Sequence, residues 1–303
     1  MGKDFVRDIF MKPIRKAVLP VAGLGTRLLP ATKSIPKEML PVVDRPAVQY
    51  VVDEAFEAGI EHIIFVTGRA KSAIEDYFDR SFELESILRA KGKSDVLEVL
   101  EAARPEPGAM SFVRQQMPLG LGHAIWCARD IIGDEAFAVL LPDVLIQNRP
   151  GVLAQMVKAY EQHGGNVIAV DDVPKSEVSQ YGVIDPGERD GAVITMRGMV
   201  EKPAEDVAPS TLKITGRYIL QPQILDLLTT QQSGAGGEIQ LTDAMARLMQ
   251  SQPFYALEYQ GMDFDCGSRL GYLRAIAHYA MTHKTLGPGA REVFEQALGE
   301  IRI

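Results

Sequence analysis

A glycine-rich loop with a basic residue follows the first apolar segment of the chain. Residues 19–30 read Leu-Pro-Val-Ala-Gly-Leu-Gly-Thr-Arg-Leu-Leu-Pro. Gly23 and Gly25 allow the backbone to approach a ligand closely, and consecutive backbone N–H groups can hold phosphate oxygens, to which Arg27 adds a bidentate donor. The loop lacks the Gly-Lys-Ser/Thr of a Walker A motif, and Leu28 stands where a dinucleotide fingerprint has its third glycine. The pattern predicts a phosphate-binding loop, with a plain strand-to-helix turn and a solvated arginine as the alternative.

Two lysines follow in the segment Ala-Thr-Lys-Ser-Ile-Pro-Lys-Glu-Met-Leu-Pro, residues 31–41. The prolines fix φ and remove backbone donors, which stiffens the loop that carries Lys33 and Lys37. A lysine held on a stiff loop can act as a point charge against a polyphosphate. An exposed surface lysine is the simpler alternative for either residue.

Carboxylates stand at two further places where a strand gives way to a turn. Asp143 comes directly after the apolar run 137–141, where a carboxylate is costly unless it is solvated, paired or bound to a cation. Asp265 lies in Met-Asp-Phe-Asp-Cys-Gly, where it can equally be the N-cap of the next helix, and Asp263 competes with it for any ligand role. Two ionised carboxylates in one crevice repel each other. We therefore expect Asp143→Asn to stabilise the empty protein by relieving this repulsion.

Apolar runs and amphipathic segments alternate over the first 180 residues. The predicted strands are 16–20, 62–67, 111–113, 137–141 and 166–170, and the predicted helices are 47–58, 71–103 with a break at Gly92, 123–132 and 152–162. This order predicts an α/β fold, a Rossmann-like mixed and mainly parallel sheet flanked by helices. Ligands of such sheets bind beyond the carboxyl ends of the strands, where the loop 21–30, Gln115 and Asp143 stand.

The regular alternation of strands and helices ends after residue 180. Short strands are predicted at 183–185, 192–200 and 212–219, and helices at 222–229, 241–250 and 267–280. We expect a single domain over residues 1–285. It has one half at about 12–180 and a second half at 181–285 with a smaller β subregion, and a helical tail at 286–303 follows it.

Composition and charge exclude several classes of protein. The chain has 303 residues, of which 46% are hydrophobic and 24% charged, and its net charge of −8 argues against a nucleic-acid-coating protein. The longest apolar stretch, 137–146, is about half a membrane span. Cys127 and Cys266 form no CxxC motif, which is typical of a reducing compartment and gives no zinc site. We expect a cytoplasmic protein that binds neither nucleic acid nor a membrane.

The segment 23–41 resembles the signature loop of the sugar-1-phosphate nucleotidylyltransferases. Further matches follow in the family's order, from about residue 12 to residue 287. They are Arg114-Gln115, Gly120-Leu-Gly-His-Ala124, Leu141-Pro-Asp143, Tyr181-Gly182-Val183, Val200-Glu-Lys-Pro203, Gly237-Glu-Ile-Gln-Leu-Thr-Asp243 and Asp265-Cys-Gly267. The Glu-Met-Leu-Pro and Glu-Ile-Gln-Leu-Thr-Asp forms favour the uridylyl branch. The resemblance implies that UTP and glucose 1-phosphate give UDP-glucose and pyrophosphate, by a Mg²⁺-assisted in-line displacement at the α-phosphorus.

The resemblance also implies which residues bind the nucleotide. Those implied for the triphosphate are Ala22, Gly23, Gly25, Thr26 and Arg27. Lys37 would neutralise charge near the α-phosphate and the departing pyrophosphate, while Gln115 and the Gly120 backbone would contact the uracil edge. The sugar phosphate is itself the nucleophile, so no Ser, Cys or His nucleophile is needed and Cys266 has no assigned chemistry. His123, Trp126 and Cys127 are interpreted as packing residues.

On the sugar side, the resemblance implies Gly182, Glu201 and Lys202. Glu201 would accept hydrogen bonds from sugar hydroxyls and Lys202 would bind the sugar phosphate, although the two side chains could also form a plain surface salt bridge. Asp172 and Tyr181 are candidates of second rank. Asp143 and Asp265 would together hold Mg²⁺, a hard ion that takes carboxylate, phosphate and water oxygens. The residues expected to carry catalysis are Arg27, Lys37, Asp143 and Lys202.

Other interpretations of the sequence stay open. A thymidylyltransferase acting on glucose 1-phosphate would use the same hydrogen-bonding edge of the base, and a weakly active regulatory paralogue would keep the same motifs. A dinucleotide-dependent oxidoreductase is suggested by the glycine-rich turn alone. The family resemblance also implies a homodimer or homotetramer. An apolar stripe in the segment 284–303 is a candidate contact, formed by Val293, Phe294, Ala297 and Leu298.

Overall fold

A mixed nine-stranded sheet runs through the part of the chain that the computed structural model describes, residues 12–230 and 237–300. The strands are β1 (Lys16–Pro20), β2 (Pro41–Val42), β3 (Arg45–Pro46), β4 (His62–Thr67), β5 (Met110–Arg114), β6 (Phe137–Leu140), β7 (Val144–Gln147), β8 (Asn166–Asp172), β9 (Gly182–Asp190), β10 (Val193–Glu201), β11 (Leu212–Leu220), β12 (Phe254–Glu258) and β13 (Met262–Asp265). The helices are α1 (Ala47–Glu57), α2 (Ser72–Phe78), α3 (Phe82–Ala90), α4 (Ser94–Ala102), α5 (Leu121–Cys127), α6 (Arg129–Ile132), α7 (Val152–His163), α8 (Ile224–Thr230), α9 (Leu241–Leu248), α10 (Arg269–Thr282) and α11 (Gly287–Glu300). Short 3-10 helices occupy Thr26–Leu28, Ala31–Lys33, Lys37–Met39 and Lys175–Gln180.

The strand order of the large sheet is β5-β4-β1-β6-β11-β8-β12-β10-β9. Parallel pairing joins β5, β4, β1 and β6, and it also joins β8 to β12. Strand β11 is antiparallel to both of its neighbours, and β9 and β10 form an antiparallel pair at the far edge. The predicted α/β fold, with a mixed sheet flanked by helices, is confirmed. The expectation of a mainly parallel sheet is wrong, because four pairings among the described strands of this sheet are parallel and five are antiparallel, and the strands after residue 180 supply the antiparallel partners.

Both faces of the sheet are covered, as the continuous apolar runs predict. Along β1, Ala17 and Leu19 belong to one apolar core and Val18 to the other, and all three side chains are fully buried. Helices α1 and α7 contribute to the first core, and α5, α8 and α9 contribute to the second. Because helices pack on both faces of the described sheet, the ends of its strands are where we expect a ligand to approach.

Five of the described strands were not predicted: the two-residue strands β2 and β3, and the longer β7, β12 and β13. Strands β7 and β13 form a separate antiparallel ribbon, in which Val144 lies opposite Asp265, and β12 fills the place between β8 and β10. These strands are only four or five residues long, and their pairing partners are remote in sequence, so local periodicity cannot reveal them. The single helix predicted at 123–132 is wrong in detail, because the chain forms α5 and α6 there instead.

The predicted tail is helical, since α11 covers Gly287–Glu300, while residues 301–303 and 1–11 lie outside the described ranges. Strands from both predicted halves, such as β6 and β11, pair within one sheet. Over residues 12–230 and 237–300, no helix is both long enough and apolar enough to cross a membrane.

Candidate active site

The loop predicted to bind phosphate leaves the carboxyl end of β1 and turns back sharply. Val21 still bonds to β4, and the chain then turns at Gly25, whose φ of 65° lies in the left-handed region that favours glycine. The Thr32 hydroxyl donates to the Gly25 carbonyl oxygen at 2.7 Å and closes the loop. A Cβ added to Gly23 would meet no atom within 4 Å, so the backbone there borders open space.

The other loop residues differ in exposure. Ala22 is half-buried, whereas Thr26, Arg27 and Lys33 are exposed. The side chain of Lys37, by contrast, is only 17% exposed. The structure therefore separates the two lysines of the stiff loop, and only Lys37 is held against other charged groups.

Lys37 and Asp143 form a close ion pair. The Lys37 Nζ donates to Asp143 Oδ2 at 2.6 Å, and the Asp143 side chain is 16% exposed. Burial by itself would raise the pKa of Asp143, but the Lys37 ammonium holds it below its ordinary value. Burial likewise would lower the pKa of Lys37, but Asp143 holds it above its ordinary value. Both groups are therefore charged at neutral pH.

Arg27 reaches both predicted carboxylates. Its Nη2 lies 3.8 Å from Asp143 Oδ2 and its Nη1 lies 3.7 Å from Asp265 Oδ2. A Cβ on Gly267 would lie 2.9 Å from an oxygen of each carboxylate and 2.6 Å from Arg27, so one small volume borders all three groups. The expected repulsion between two bare carboxylates is wrong for this structure, because Arg27 and Lys37 already neutralise them.

The β7–β13 ribbon brings the two aspartates together. Asp143 immediately precedes β7, Asp265 ends β13, and the backbone N–H of Cys266 donates to the Asp143 carbonyl oxygen at 2.7 Å. Asp265 is not the cap of α10, because the N-cap is Ser268, whose hydroxyl accepts from the Gly271 N–H. Asp265 Oδ1 instead accepts from the Gly267 N–H at 2.9 Å. The alternative of a helix cap is excluded for Asp265.

Asp263, the competitor for the ligand role, has another partner. Its Oδ2 accepts from Lys213 Nζ at 2.6 Å, and Lys213 is only 8% exposed. The Lys213 ammonium also lies 5.1 Å from the centre of the Tyr181 ring. Burial, with Asp263 nearby, raises the pKa of Asp171 on the adjacent strand. Because Lys213 neutralises Asp263, Asp265 is the better placed of the two for a second metal ligand.

A fully buried arginine holds the turn that carries Asp143. Arg217 on β11 donates to the carbonyl oxygens of Leu141 and Val144 at 3.0 and 2.8 Å, one on each side of that turn. Its guanidinium also pairs with Glu54 of α1 at 2.8 Å, and Glu54 in turn accepts from the backbone N–H of Leu153 at the start of α7. Strand β11, helix α1 and helix α7 are therefore linked through Arg217 and Glu54 to the turn that carries Asp143.

Gln115 follows β5 and faces the predicted base contact. Its Nε2 lies 3.0 Å from the Gly120 carbonyl oxygen and 3.1 Å from Nδ1 of His123. Gly120 has a φ of 103°, and a Cβ there would lie 2.8 Å from the Ile239 carbonyl oxygen, so only glycine fits. The structure brings Gln115 and Gly120 together, and it places His123, interpreted as a packing residue, against the Trp126 ring and also beside the Gln115 amide.

The sugar-side residues cluster at the end of β10. Glu201 lies opposite Gly182 on β9 and accepts from the Thr242 hydroxyl at 2.7 Å. Lys202 has a φ of 47°, its backbone N–H donates to the Tyr181 carbonyl oxygen, and its Nζ lies 3.7 Å from Glu201. The Lys202 side chain is 60% exposed and can therefore reach an anion. Asp172 accepts from the hydroxyl of Thr211, the residue that precedes β11.

Several residues around the site were not predicted from the sequence: Glu38, Lys71, Arg217, Lys213 and Thr242. Glu38 and Lys71 form a buried ion pair at 2.7 Å that anchors the segment carrying Lys37 to the loop after β4. Glu38 stands beside Lys37 in the signature segment, and that adjacency was the available signal. Burial, with Asp143 and Asp265 nearby, raises the pKa of the Cys266 thiol to about 12, which favours the protonated thiol over the nucleophilic thiolate.

The basic loop, the paired aspartates and the predicted base contact lie together at the carboxyl ends of the parallel strands, where nucleotide-binding α/β proteins hold their ligands. The chain belongs to the nucleotidyl transferase family, whose model matches residues 16–282. It is 51% identical over 260 residues to a UTP–glucose-1-phosphate uridylyltransferase from Komagataeibacter xylinus, covering 86% of this chain and 92% of that protein.

Two solved structures extend the comparison. A UTP-bound UGPase from Acinetobacter baumannii superposes with a TM-score of 0.86 at 49% identity, covering 95% of this chain and 100% of the other. A UDP-glucose pyrophosphorylase complexed with UDP-glucose superposes with a TM-score of 0.81 at 42% identity, covering 88% of this chain and 98% of the other.

Proposed function

We propose that this chain transfers the uridylyl group of UTP to glucose 1-phosphate and releases pyrophosphate. The observation that carries the proposal is the meeting of Arg27 and Lys37, from the signature loop, with Asp143 and Asp265. The names of relatives at about half identity support UTP and glucose 1-phosphate as the substrates. They disfavour both the thymidylyl branch and a dinucleotide-dependent oxidoreductase.

The proposed reaction is a direct displacement. A phosphate oxygen of glucose 1-phosphate forms a bond to the α-phosphorus of UTP, and the bond between that phosphorus and the α–β bridging oxygen breaks. Pyrophosphate leaves with the electron pair of that bond. Arg27 and Lys37 neutralise the charge that develops on the phosphates, and the protein supplies position and charge rather than a nucleophile.

The two aspartates fit a bound Mg²⁺. They offer hard oxygen donors on a common volume beside Gly267, and the 64% exposed Arg27 side chain can move from there towards the phosphates. Within residues 12–230 and 237–300, no cluster of three or more His, Cys, Asp or Glu could hold a metal, so the remaining ligands would be phosphate and water oxygens. When bound, Mg²⁺ would polarise the α-phosphate and hold the nucleotide.

The other predicted residues have proposed roles at the same crevice. The backbone of Ala22, Gly23 and Gly25, with Thr26, would hold the triphosphate. Gln115 and Gly120 would contact uracil, and Gly182, Glu201 and Lys202 would bind the sugar phosphate. We place all of them in one domain over residues 1–285. The two cysteines form no disulfide, which is compatible with a reducing compartment such as the cytoplasm.

A screen of four nucleoside triphosphates against several sugar 1-phosphates tests the substrate assignment. Pyrophosphate release should have its highest kcat/KM with UTP and glucose 1-phosphate. The comparison with dTTP is needed because a methyl group is worth only about 1–3 kcal/mol in a binding pocket. Equal or better turnover with dTTP would favour the thymidylyl interpretation. Absence of turnover with every pair would favour a regulatory paralogue.

Replacing Lys202 with Ala should weaken binding of glucose 1-phosphate and leave UTP binding nearly intact. Lys202 follows β10 and is separate from the nucleotide loop, which explains the selectivity of the effect. Calorimetry with UTP alone measures nucleotide binding, and calorimetry with UDP-glucose also reports on the sugar-phosphate contacts. Lys175→Ala, at another exposed lysine, is the matched control. Equal losses for the two ligands would show that Lys202 has a structural role or contacts the nucleotide.

We also propose that the protein is a homodimer or homotetramer that uses α11. Val293 and Leu298 on this helix are 62% and 76% exposed, and Leu270 on the adjoining α10 is 76% exposed, so these apolar side chains have no cover within the described subunit. A chain truncated after Thr285 should have the mass of a monomer in light scattering, beside an oligomeric full-length control. A truncated chain that keeps the full-length oligomeric state would rule out α11 as the main interface.

A further inference from the structure

The amide of Gln115 has only one free hydrogen-bonding atom. The Gly120 carbonyl oxygen can only accept, so the group facing it at 3.0 Å must be the amide NH₂. The second hydrogen of that NH₂ faces Nδ1 of His123 at 3.1 Å. Within residues 12–230 and 237–300 no donor reaches Oε1, and this oxygen is not sealed from solvent although Gln115 is 8% exposed. Oε1 is therefore the atom left for a ligand.

An acceptor at this place discriminates between pyrimidines. The N3 atom of uracil carries a hydrogen and can donate to Oε1, whereas the N3 atom of cytosine is a bare acceptor and would be repelled. A rotation of the amide by half a turn would present NH₂ instead and reverse this preference. Whatever fixes the orientation of the Gln115 amide therefore fixes the choice of base.

We propose that His123 is a positioning residue for base choice, whose Nδ1 locks the Gln115 amide with its oxygen towards the nucleotide. The inference rests on the proposed uridylyl transfer and adds a residue to it. With the ring hydrogen on Nε2, a flipped amide would place Oε1 against two acceptors, the Gly120 carbonyl oxygen and Nδ1. Burial lowers the pKa of His123, which favours the neutral ring, and the tautomer with its hydrogen on Nε2 presents Nδ1 as an acceptor to the Gln115 NH₂.

The neighbours of His123 allow its two roles to be separated. Its ring stacks on Trp126 with 5.8 Å between centroids, so it also contributes packing to α5. His123→Phe keeps a flat ring for that stacking and has no acceptor. His123→Asn loses the ring but keeps an acceptor oxygen close to the place of Nδ1. A packing role and a positioning role therefore predict opposite orders for the two variants.

The experiment measures kcat/KM for UTP and for CTP in the wild type, His123→Phe, His123→Asn and Gln115→Leu. The ratio of the two values should fall about tenfold in His123→Phe, as the loss of one buried hydrogen bond predicts, and should stay within about twofold in His123→Asn. Gln115→Leu should lose the preference for UTP. The KM for glucose 1-phosphate should stay constant in all three variants.

A wild-type ratio near one would overturn the proposed uridylyl specificity and this inference with it. A ratio lost in Gln115→Leu but retained in His123→Phe would overturn the inference alone. A lower UTP-to-CTP ratio in His123→Asn than in His123→Phe would show that His123 acts through packing and would overturn the inference. If His123→Phe fails to fold, His123→Leu takes its place as the variant without an acceptor. The UTP-to-CTP ratio should then fall about tenfold in His123→Leu and stay within about twofold of the wild type in His123→Asn, and the opposite order would overturn the inference.

Discussion

Replacing Asp143 with Asn should lower kcat by about 100-fold or more, equivalent to roughly 3 kcal/mol of transition-state stabilisation. Asn keeps the shape but removes the charge that pairs with Lys37 at 2.6 Å and faces Arg27. The melting temperature of the empty protein should fall, because the variant leaves a largely buried Lys37 without its partner. This reverses the stabilisation that the sequence suggested.

Two measurements accompany the kinetics of Asp143→Asn. Binding of Mn²⁺ in the presence of UTP, followed by electron paramagnetic resonance, should weaken in the variant because a ligand is lost. Asp134→Asn, at an exposed aspartate beyond the site, should change neither kcat nor Mn²⁺ binding. Near-normal turnover and metal affinity in Asp143→Asn would remove Asp143 from the mechanism.

Replacing Arg217 with Ala should lower the free energy of unfolding by about 3–5 kcal/mol, the usual effect of breaking a buried ion pair from one side. The variant leaves the Glu54 carboxylate buried without its cation and removes both donors that hold the Asp143 turn. Urea denaturation followed by circular dichroism measures the change.

The comparison variants for Arg217 are a double variant and an exposed pair. Glu54→Leu combined with Arg217→Met removes both charges and should recover part of the lost stability, because no buried charge is then left alone. Arg15→Ala breaks the exposed pair with Glu61 and should have no measurable effect. A loss below about 1 kcal/mol in Arg217→Ala would contradict the anchoring role of Arg217.

The alternating strands and helices of the first 180 residues were predictable because each is a local pattern. Apolar runs such as β1 and β4 and the helical stripe of α1 carry their own signal. Strands β7 and β13 carry little, since their pairing joins segments more than 100 residues apart. That ribbon is the element that sets Asp265 beside Asp143. The sequence could therefore suggest a second carboxylate, but only the folded chain explains why it lies next to the first.

The charges that surround the candidate site were less predictable than the site residues themselves. Lys37, Asp143 and Gln115 stand in recognisable segments at the ends of strands or in the signature loop. Arg217 and Lys213 lie within the buried strand β11, where a single sequence offers no reason to expect a cation. Their partners, Glu54 and Asp263, come from distant elements, and only the folded chain brings these charges together.

The stereochemistry at the α-phosphorus tests the direct displacement most sharply. UTP with sulfur in place of one non-bridging α-oxygen, in a single configuration, is converted with glucose 1-phosphate, and the configuration of the product is determined by phosphorus NMR. A single displacement by the sugar phosphate predicts inversion. Retention would require two displacements through a uridylyl-enzyme, and it would contradict the account in which Arg27, Lys37 and Asp143 act without a protein nucleophile.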